Sequence, residues 1–430
     1  MPLTPNTFAY RQSAITFFSN CAAFFNFLIY LYLAEIIVAA FFPLANDTSS
    51  TVSKLLALSV FSAGYLARPI GGFLFGRMGD IYGRKPVFLI SSSVITIASL
   101  FTALLPTYHQ VGILAPILFV VARLIQGMGF GAHSPLGWVV ISEQVPRSKL
   151  AFFCGIFTVS FPATILLTML FFSTLFDSFT RTALIEYAWR IPFVVSAVLN
   201  MLAIFLGSYI KETPIFINDD SQMSYWPKQY DLQSALKRFN AIFTAFLLGI
   251  FSSSIMFVVM ILLPIVIPIG FDVDTEIIKF SNGLGIIFLG IGYVFFGVIA
   301  DKGNIGKVLM LGAVAVIVQV FAMFYLLSQG YGDYLLFMYA LLGFFSGVAG
   351  LGPVIILQSF PTRVRLTALS IAFESTFAFI GGILPFALIY LTNIVSFSPA
   401  LYVIFVGLIG FAVGFYIYNT PDFKPLNASV

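Results

Sequence analysis

The chain is a succession of apolar stretches about twenty residues long, each closed by a short polar turn. A helix of that length spans the ~30 Å of hydrocarbon in a bilayer, at about 1.5 Å per residue. Only helices and closed β-barrels satisfy every backbone polar group in lipid. A barrel strand alternates apolar and polar residues. Runs such as Phe119-Val-Val-Ala122 and Ile286-Ile-Phe-Leu289 do not alternate, so they read as helix. With 60% hydrophobic and 9% charged residues in 430, against about 25% charged for a soluble domain, the expected class is an all-α membrane protein.

Twelve transmembrane helices are expected, near residues 15–40, 54–76, 86–106, 113–141, 150–176, 190–210, 238–266, 278–300, 307–328, 333–359, 367–392 and 397–419. Residues 1–14 lack a cleavable signal pattern, so the first apolar stretch is expected to stay as a helix. Placing both termini in the cytoplasm puts fifteen of the twenty-one Lys and Arg residues inside and four outside, with Arg68 and Arg123 within spans. That asymmetry predicts a cytoplasmic (inner) membrane protein with both ends inside. The net charge of +4 and the lack of a basic, aromatic-interleaved surface argue against nucleic-acid binding. Cys21 and Cys154 both fall within apolar spans, so neither a disulfide nor a metal site is expected.

The loop Gly76-Arg-Met-Gly-Asp80-Ile-Tyr-Gly83-Arg84-Lys85 carries three basic residues and one acid between two spans, with Gly79 and Gly83 read as turn residues. Gly297-Val-Ile-Ala-Asp301-Lys302-Gly303 echoes it. Pro146-Arg-Ser-Lys-Leu-Ala and Pro361-Thr-Arg-Val-Arg-Leu-Thr-Ala form a second echo. The offsets, 221 residues from Asp80 to Asp301 and 215 from Pro146 to Pro361, indicate two related halves. The one long polar connection, 211–237, falls between them. The domains are therefore expected to be 1–210, a six-helix bundle; 211–237, a cytoplasmic linker; and 238–430, a second bundle. Asp231–Arg238 suits a short interfacial helix.

With these motifs stand Tyr65-Leu-Ala-Arg-Pro-Ile-Gly-Gly72, Arg123-Leu-Ile-Gln126-Gly127, Trp189-Arg-Ile-Pro-Phe193, Glu212-Thr-Pro-Ile-Phe216 and Phe360-Pro-Thr-Arg-Val-Arg365. In this order the set resembles the major facilitator superfamily, and within it the metabolite:proton symporter branch. The resemblance implies the major facilitator fold: two pseudo-symmetric six-helix bundles around a central cavity, working by alternating access. It implies small polar cargo such as 2-oxoacids, citrate, shikimate-type acids, betaine or proline. The chain also departs from that pattern. The branch usually carries a Glu and an Asp three residues apart on its first helix, where this chain has Ala23 and Asn26. His133 stands where helix 4 usually has a Glu, and Glu374 where helix 11 often has an Asn.

An ionisable group inside a span is costly and marks function by default. Arg123 can hold a carboxylate bidentately, with Gln126 on the same face; a structural ion pair or carbonyl clamp is the plainer alternative. The resemblance also places the family's helix 4 Arg here. Arg68, before Pro69, suits substrate attraction or packing. Asn26 and Tyr30, one helical step apart, can line the cavity together, with Asn20 rotated away from Asn26; ordinary interhelical hydrogen bonding competes with that reading. These six are the candidate substrate-binding residues. His133 and Glu374 are the candidate proton-coupling residues. Against this, His133 can be a buried imidazole bonded to backbone, and Glu374 a permanent partner for an Arg of the first half. Asp80, Arg84, Lys85 and Asp301 are candidate gating residues that latch one bundle to the other, a role that rests on the resemblance. Glu35, near the outer end of the first helix, can simply reach the interface.

The expected function is proton-coupled import of a small anionic or zwitterionic carboxylate. The alternative is an uncoupled facilitator or osmolyte carrier, prompted by the missing first-helix acids. A monomer is expected, with no cofactor. No Walker loop, His-Glu-x-x-His or Gly-x-Ser-x-Gly occurs, and the polar loops are too short for a catalytic domain, so an enzyme is not expected.

Overall fold

The computed structural model describes residues 5–42, 50–213, 216 and 239–420, which are helical with no strand among them. The predicted interfacial helix at Asp231–Arg238 lies outside the described residues. Twelve long helical segments follow in order. They are α1 (Pro5–Tyr32), α2 (Ser50–Tyr82), α3 (Arg84–Ala103), α4 (Leu114–Gln144), α5 (Arg147–Ser178) and α6 (Arg190–Gly207) in the first half. The second half has α7 (Asn240–Gly270), α8 (Thr275–Lys302), α9 (Ile305–Ser328), α10 (Gly332–Ser359), α11 (Thr362–Gly382) and α12 (Ser398–Asn419). Eleven of the twelve are long and apolar enough in their described residues to cross a membrane, and α2, the remaining one, is 33 residues long.

Several boundaries differ from the sequence reading. α1 starts earlier, at Pro5, and breaks at Leu33 before a short continuation, Ala34–Phe41. α2 runs on to Tyr82, so most of the charged loop is helical and a single residue makes the turn. That residue is Gly83, at φ 104°, a conformation that a side chain would strain. Gly79 does not turn the chain. It lies inside α2, and a Cβ there would come within 2.4 Å of Leu366 Cδ2 on α11. α4 extends to Gln144, which brings Glu143 into the helix. α11 begins at Thr362 and breaks at Ile383, with Leu384–Ile394 continuing beyond. α7 contains a π-turn at Val258–Leu262, and α10 a 3-10 turn at Gly347–Gly350.

The two halves meet along two antiparallel seams. On the α2–α11 seam, Tyr65 lies against Gly381, Gly72 against Ser370 and Glu374, and Gly76 against Thr367. On the α5–α8 seam, Gly155 lies against Tyr293 and Gly297 against Ala151. The seams are related by the same two offsets that relate the sequence motifs. Asp80 and Asp301 reach across them at one end of the molecule, here termed the latch face.

Candidate functional site

Midway along the first seam, Arg68 of α2 donates from Nε to Oε2 of Glu374 of α11 at 2.5 Å. Both side chains are buried, with exposures of 2% and 0%. The Arg68 guanidinium is surrounded by rings, with centroids at 4.6 Å (Phe130), 4.7 Å (Phe377), 5.2 Å (Tyr65) and 5.3 Å (Phe27). These faces offset part of the cost of burying the cation. The other carboxylate oxygen, Oε1 of Glu374, has no hydrogen-bond partner among the described residues, and neither has Ser370 Oγ one turn earlier. The helices approach closely at Gly72, where a Cβ would lie 3.3 Å from the Ser370 side chain and 3.4 Å from that of Glu374.

Arg123 of α4 lies beside this pair. Its guanidinium carbon is 3.8 Å from the Tyr30 ring centroid and 4.1 Å from that of Phe27, so Phe27 carries both arginines. The Tyr30 hydroxyl donates to Oε1 of Gln126 in a very short bond. Tyr65 packs edge-on to Phe27 and reaches Phe257 of α7, linking the two halves through aromatic contacts. The structure thus brings Arg68, Glu374, Arg123, Gln126 and Tyr30 into one buried cluster.

Asn20, Asn26 and His133 are engaged elsewhere. Asn26 donates to Ser99 and Ser196, both at 2.8 Å, tying α1 to α3 and α6. It therefore does not share a partner with Tyr30, although the two lie one helical step apart. Asn20 donates to Ser160 at 2.7 Å and accepts from Ser134 at 2.8 Å, tying α1 to α5 and α4. The two ring nitrogens of His133 meet Ser19 and Ser91, each at 3.1 Å, in the interior of the first half.

At the latch face Asp80 accepts from the backbone N–H of Leu366 (3.2 Å) and Thr367 (2.8 Å), and from the Thr367 hydroxyl at 2.6 Å. These donors lie near the N-terminal end of α11, where a negative charge is favoured. Asp301 does the same on the second seam, accepting from Ala151 and Phe152, both at 2.8 Å. Among the described residues, the ion pairs gather on the first seam. Arg84 pairs with Asp80 at 3.3 Å and with Glu143 at 2.9 Å, and donates to the Thr362 carbonyl at 2.7 Å. Arg365 reaches Glu143 from the second half at 3.2 Å, and Thr213 donates to the same carboxylate at 2.6 Å. Lys85 does not cross the seam. Its Nζ donates to the Ser208 carbonyl within the first half, while its backbone N–H, with that of Arg84, donates to Glu212.

Residues 15–385 match the Major Facilitator Superfamily. The chain belongs to that superfamily. Its members are transporters rather than enzymes, and the chain is a major facilitator transporter of the twelve-helix fold. Among its relatives, a putative proline/betaine transporter of Staphylococcus aureus (strain COL) is 28% identical over 433 residues, covering 98% of this chain and 91% of that protein. The putative transporter YdfJ of Escherichia coli (strain K12) is 35% identical over 189 residues, 44% of each chain. Among solved structures, the proton:xylose symporter XylE bound to 6-bromo-6-deoxy-D-glucose superposes at a TM-score of 0.80 with 15% identity, covering 96% of both chains.

Within this major facilitator frame, sequence reasoning passed over Glu143, Thr213, Tyr65 and Ser370. Glu143 had a signal. The latch-face segments hold a large excess of Lys and Arg, and an acid in the turn before Pro146 is a natural partner for them. Ser370 had none, because serine is common in membrane helices.

Proposed function

We propose that this major facilitator transporter moves a small metabolite bearing a carboxylate, anionic or zwitterionic, inward with a proton. The observation that carries the reading is the Arg68–Glu374 pair, a buried cation and a buried acid held by opposite halves at mid-seam. Such a pair can change partners only when the halves shift, which couples site chemistry to alternating access. In this reading Arg68 and Arg123 attract the carboxylate, with Gln126 and Tyr30 beside them. Glu374 exchanges the proton. Asn20, Asn26 and His133 hold the first bundle in shape, because their polar atoms are engaged within it. Asp80 and Arg84, with Asp301 on the other seam, close the latch face, and Lys85 braces α3 against α6.

The working unit is taken as a monomer with bundles at 1–210 and 238–430 and a linker at 211–237. It sits in a bacterial cytoplasmic membrane, with the latch face and both termini inside. The distribution of Lys and Arg supports that orientation. An uncoupled or osmolyte-type carrier is the second reading, supported by the relatives named as proline/betaine transporters. Purified protein in vesicles, offered labelled pyruvate, shikimate, betaine or proline, tests both. Net uptake driven by an imposed pH gradient and abolished by protonophore is the expected result. Uptake indifferent to both would remove the proton, and absence of uptake for all four would remove the carboxylate.

A further inference from the structure

A groove runs between α7 and α11 on the outer side of the second half, beginning at the latch face, with a volume of about 310 Å³. Ile242 and Phe246 line it from α7, Val364, Ala368 and Ile371 from α11, with Phe360 at its mouth. Further in, it ends where the two helices touch. A Cβ at Gly249 would lie 2.9 Å from the Ala372 carbonyl oxygen and 2.9 Å from Thr376 Oγ1. From Phe360 to Ser375 the lining covers about 22 Å of chain, at about 1.5 Å per residue, so the space is long and thin. Thr367 and Ser375 are its polar residues, and the Thr367 hydroxyl is given to Asp80. Phe246 is 43% exposed, and the latch is shut at this end, so the groove opens to the bilayer.

The first half fills the corresponding place with its own side chains. The 215-residue offset that relates Pro146 to Pro361 also relates the N–H donors of the two latches, Ala151 and Phe152 to Leu366 and Thr367. The next position is Phe153 in α5 and Ala368 in α11. Phe153 is buried, and its ring packs on Tyr10 of α1 with centroids 5.2 Å apart. α11 has only a methyl group there, and Ile242 and Phe246 of α7 wall the gap without closing it. Atoms lining an unfilled space forfeit contacts on that side, and close packing leaves few such spaces. The place of the absent ring therefore suits an apolar guest, and the medium beside it is hydrocarbon.

The mouth adds charge. Arg363 is three residues after Phe360 and four before Thr367, so it stands on the groove face of α11, in the first turn. A guanidinium beside a helix N-terminus suits a phosphate. We propose that the groove is a phospholipid site, with one acyl chain lying between α7 and α11 and the phosphate at Arg363. The lipid comes from the leaflet at the latch face. Its chain takes the place that Phe153 fills in the first half. Because Thr367 both borders the groove and holds Asp80, the bound chain backs the part of α11 that fastens the latch.

The test uses full-length protein in detergent, stripped of loosely held lipid and then given dioleoyl phosphatidylglycerol with a photoreactive diazirine in one chain. Native mass spectrometry should find a single phospholipid retained per protein chain. Photolysis of that complex should place adducts on peptides containing Ile242, Phe246, Val364 or Ile371. Ala368→Phe supplies the ring that the first half has. Retention should then fall about tenfold or more, the worth of roughly two buried methylenes. Arg363→Gln should cut retention about fivefold, as loss of one basic residue at a membrane surface does. No retained phospholipid, detergent retained in its stead, or adducts confined to other helices overturns the proposal, and these readouts use the unaltered protein. Retention by either variant equal to that of the parent also overturns it. None of these measurements depends on which solute is carried, so failure here leaves the transport reading standing.

Discussion

Arg68 and Arg123 are indistinguishable as sequence marks, both being guanidinium groups within apolar spans, yet their surroundings differ. Arg68 has an acid across the seam, and the Arg123 guanidinium is placed over the rings of Tyr30 and Phe27. A lysine has no planar face for that stacking. Arg123→Lys should therefore weaken binding of an anionic cargo more than tenfold although the charge is kept, and equilibrium binding of labelled substrate reads the change. Undiminished affinity would take Arg123 out of the site. Asn26→Leu should lower thermal stability while sparing the ratio of forward to exchange transport. Its two interhelical bonds are worth about 0.6 kcal/mol each on average, so the melting point should drop by a few degrees. A selective loss of cargo affinity would instead bring Asn26 into the binding cluster. The ionisable residues were legible because lipid penalises stray charge. Their partners were not, because Arg68 and Glu374 are 306 positions apart and nothing local links them. The serines that occupy Asn20, Asn26 and His133 were equally hidden, since one serine in a span looks like any other.

At the scale of the helices, the charged turn that dominated the sequence proved to be mostly helix. Gly79 was read as a turn residue because glycine beside charge usually is one. Here the demand is spatial, since Leu366 fills the place its side chain would take. Gly83 alone met the backbone requirement, at φ 104°. Extending α2 and α4 brings Asp80 and Glu143 onto helices, and this positions the latch-face network. Asp80→Asn should slow turnover several-fold with substrate affinity little changed, as seen by comparing exchange rate with equilibrium binding. Loss of affinity at normal turnover would contradict a latch. Glu143→Gln removes the carboxylate shared by Arg84, Arg365 and Thr213. Breaking one side of a buried pair costs about 3–5 kcal/mol, so this variant should melt well below the parent. A melting temperature within one degree would show that the network carries little stability.

For the whole molecule, the fold was legible because two constraints act everywhere. Lipid demands helices of spanning length, and repetition demands that corresponding helices meet alike. The 221- and 215-residue offsets indicated two related halves, and the carboxylates at 80 and 301 cross the two seams between them in the same way. Where each helix bends was not legible, because the breaks at Leu33 and Ile383 and the π-turn in α7 depend on neighbours far along the chain. Away from the latch face, Leu66 of α2 lies beside Gly382 at the end of α11. Cysteines at these two positions, in a chain with Cys21 and Cys154 replaced by serine, should cross-link on oxidation and stop transport until a reductant is added. Undisturbed transport in the oxidised protein would show that this end never parts.

Among the described residues, Asp301 holds its seam by backbone N–H groups alone, whereas Asp80 also pairs with Arg84. Two fastenings of unequal strength do not release in step. Rocking should therefore begin lopsidedly, with a slot appearing on the α5–α8 flank while the other flank still grips. Cargo would leave sideways through that slot, and probes attached at Ala151 should become wet before probes at Leu366.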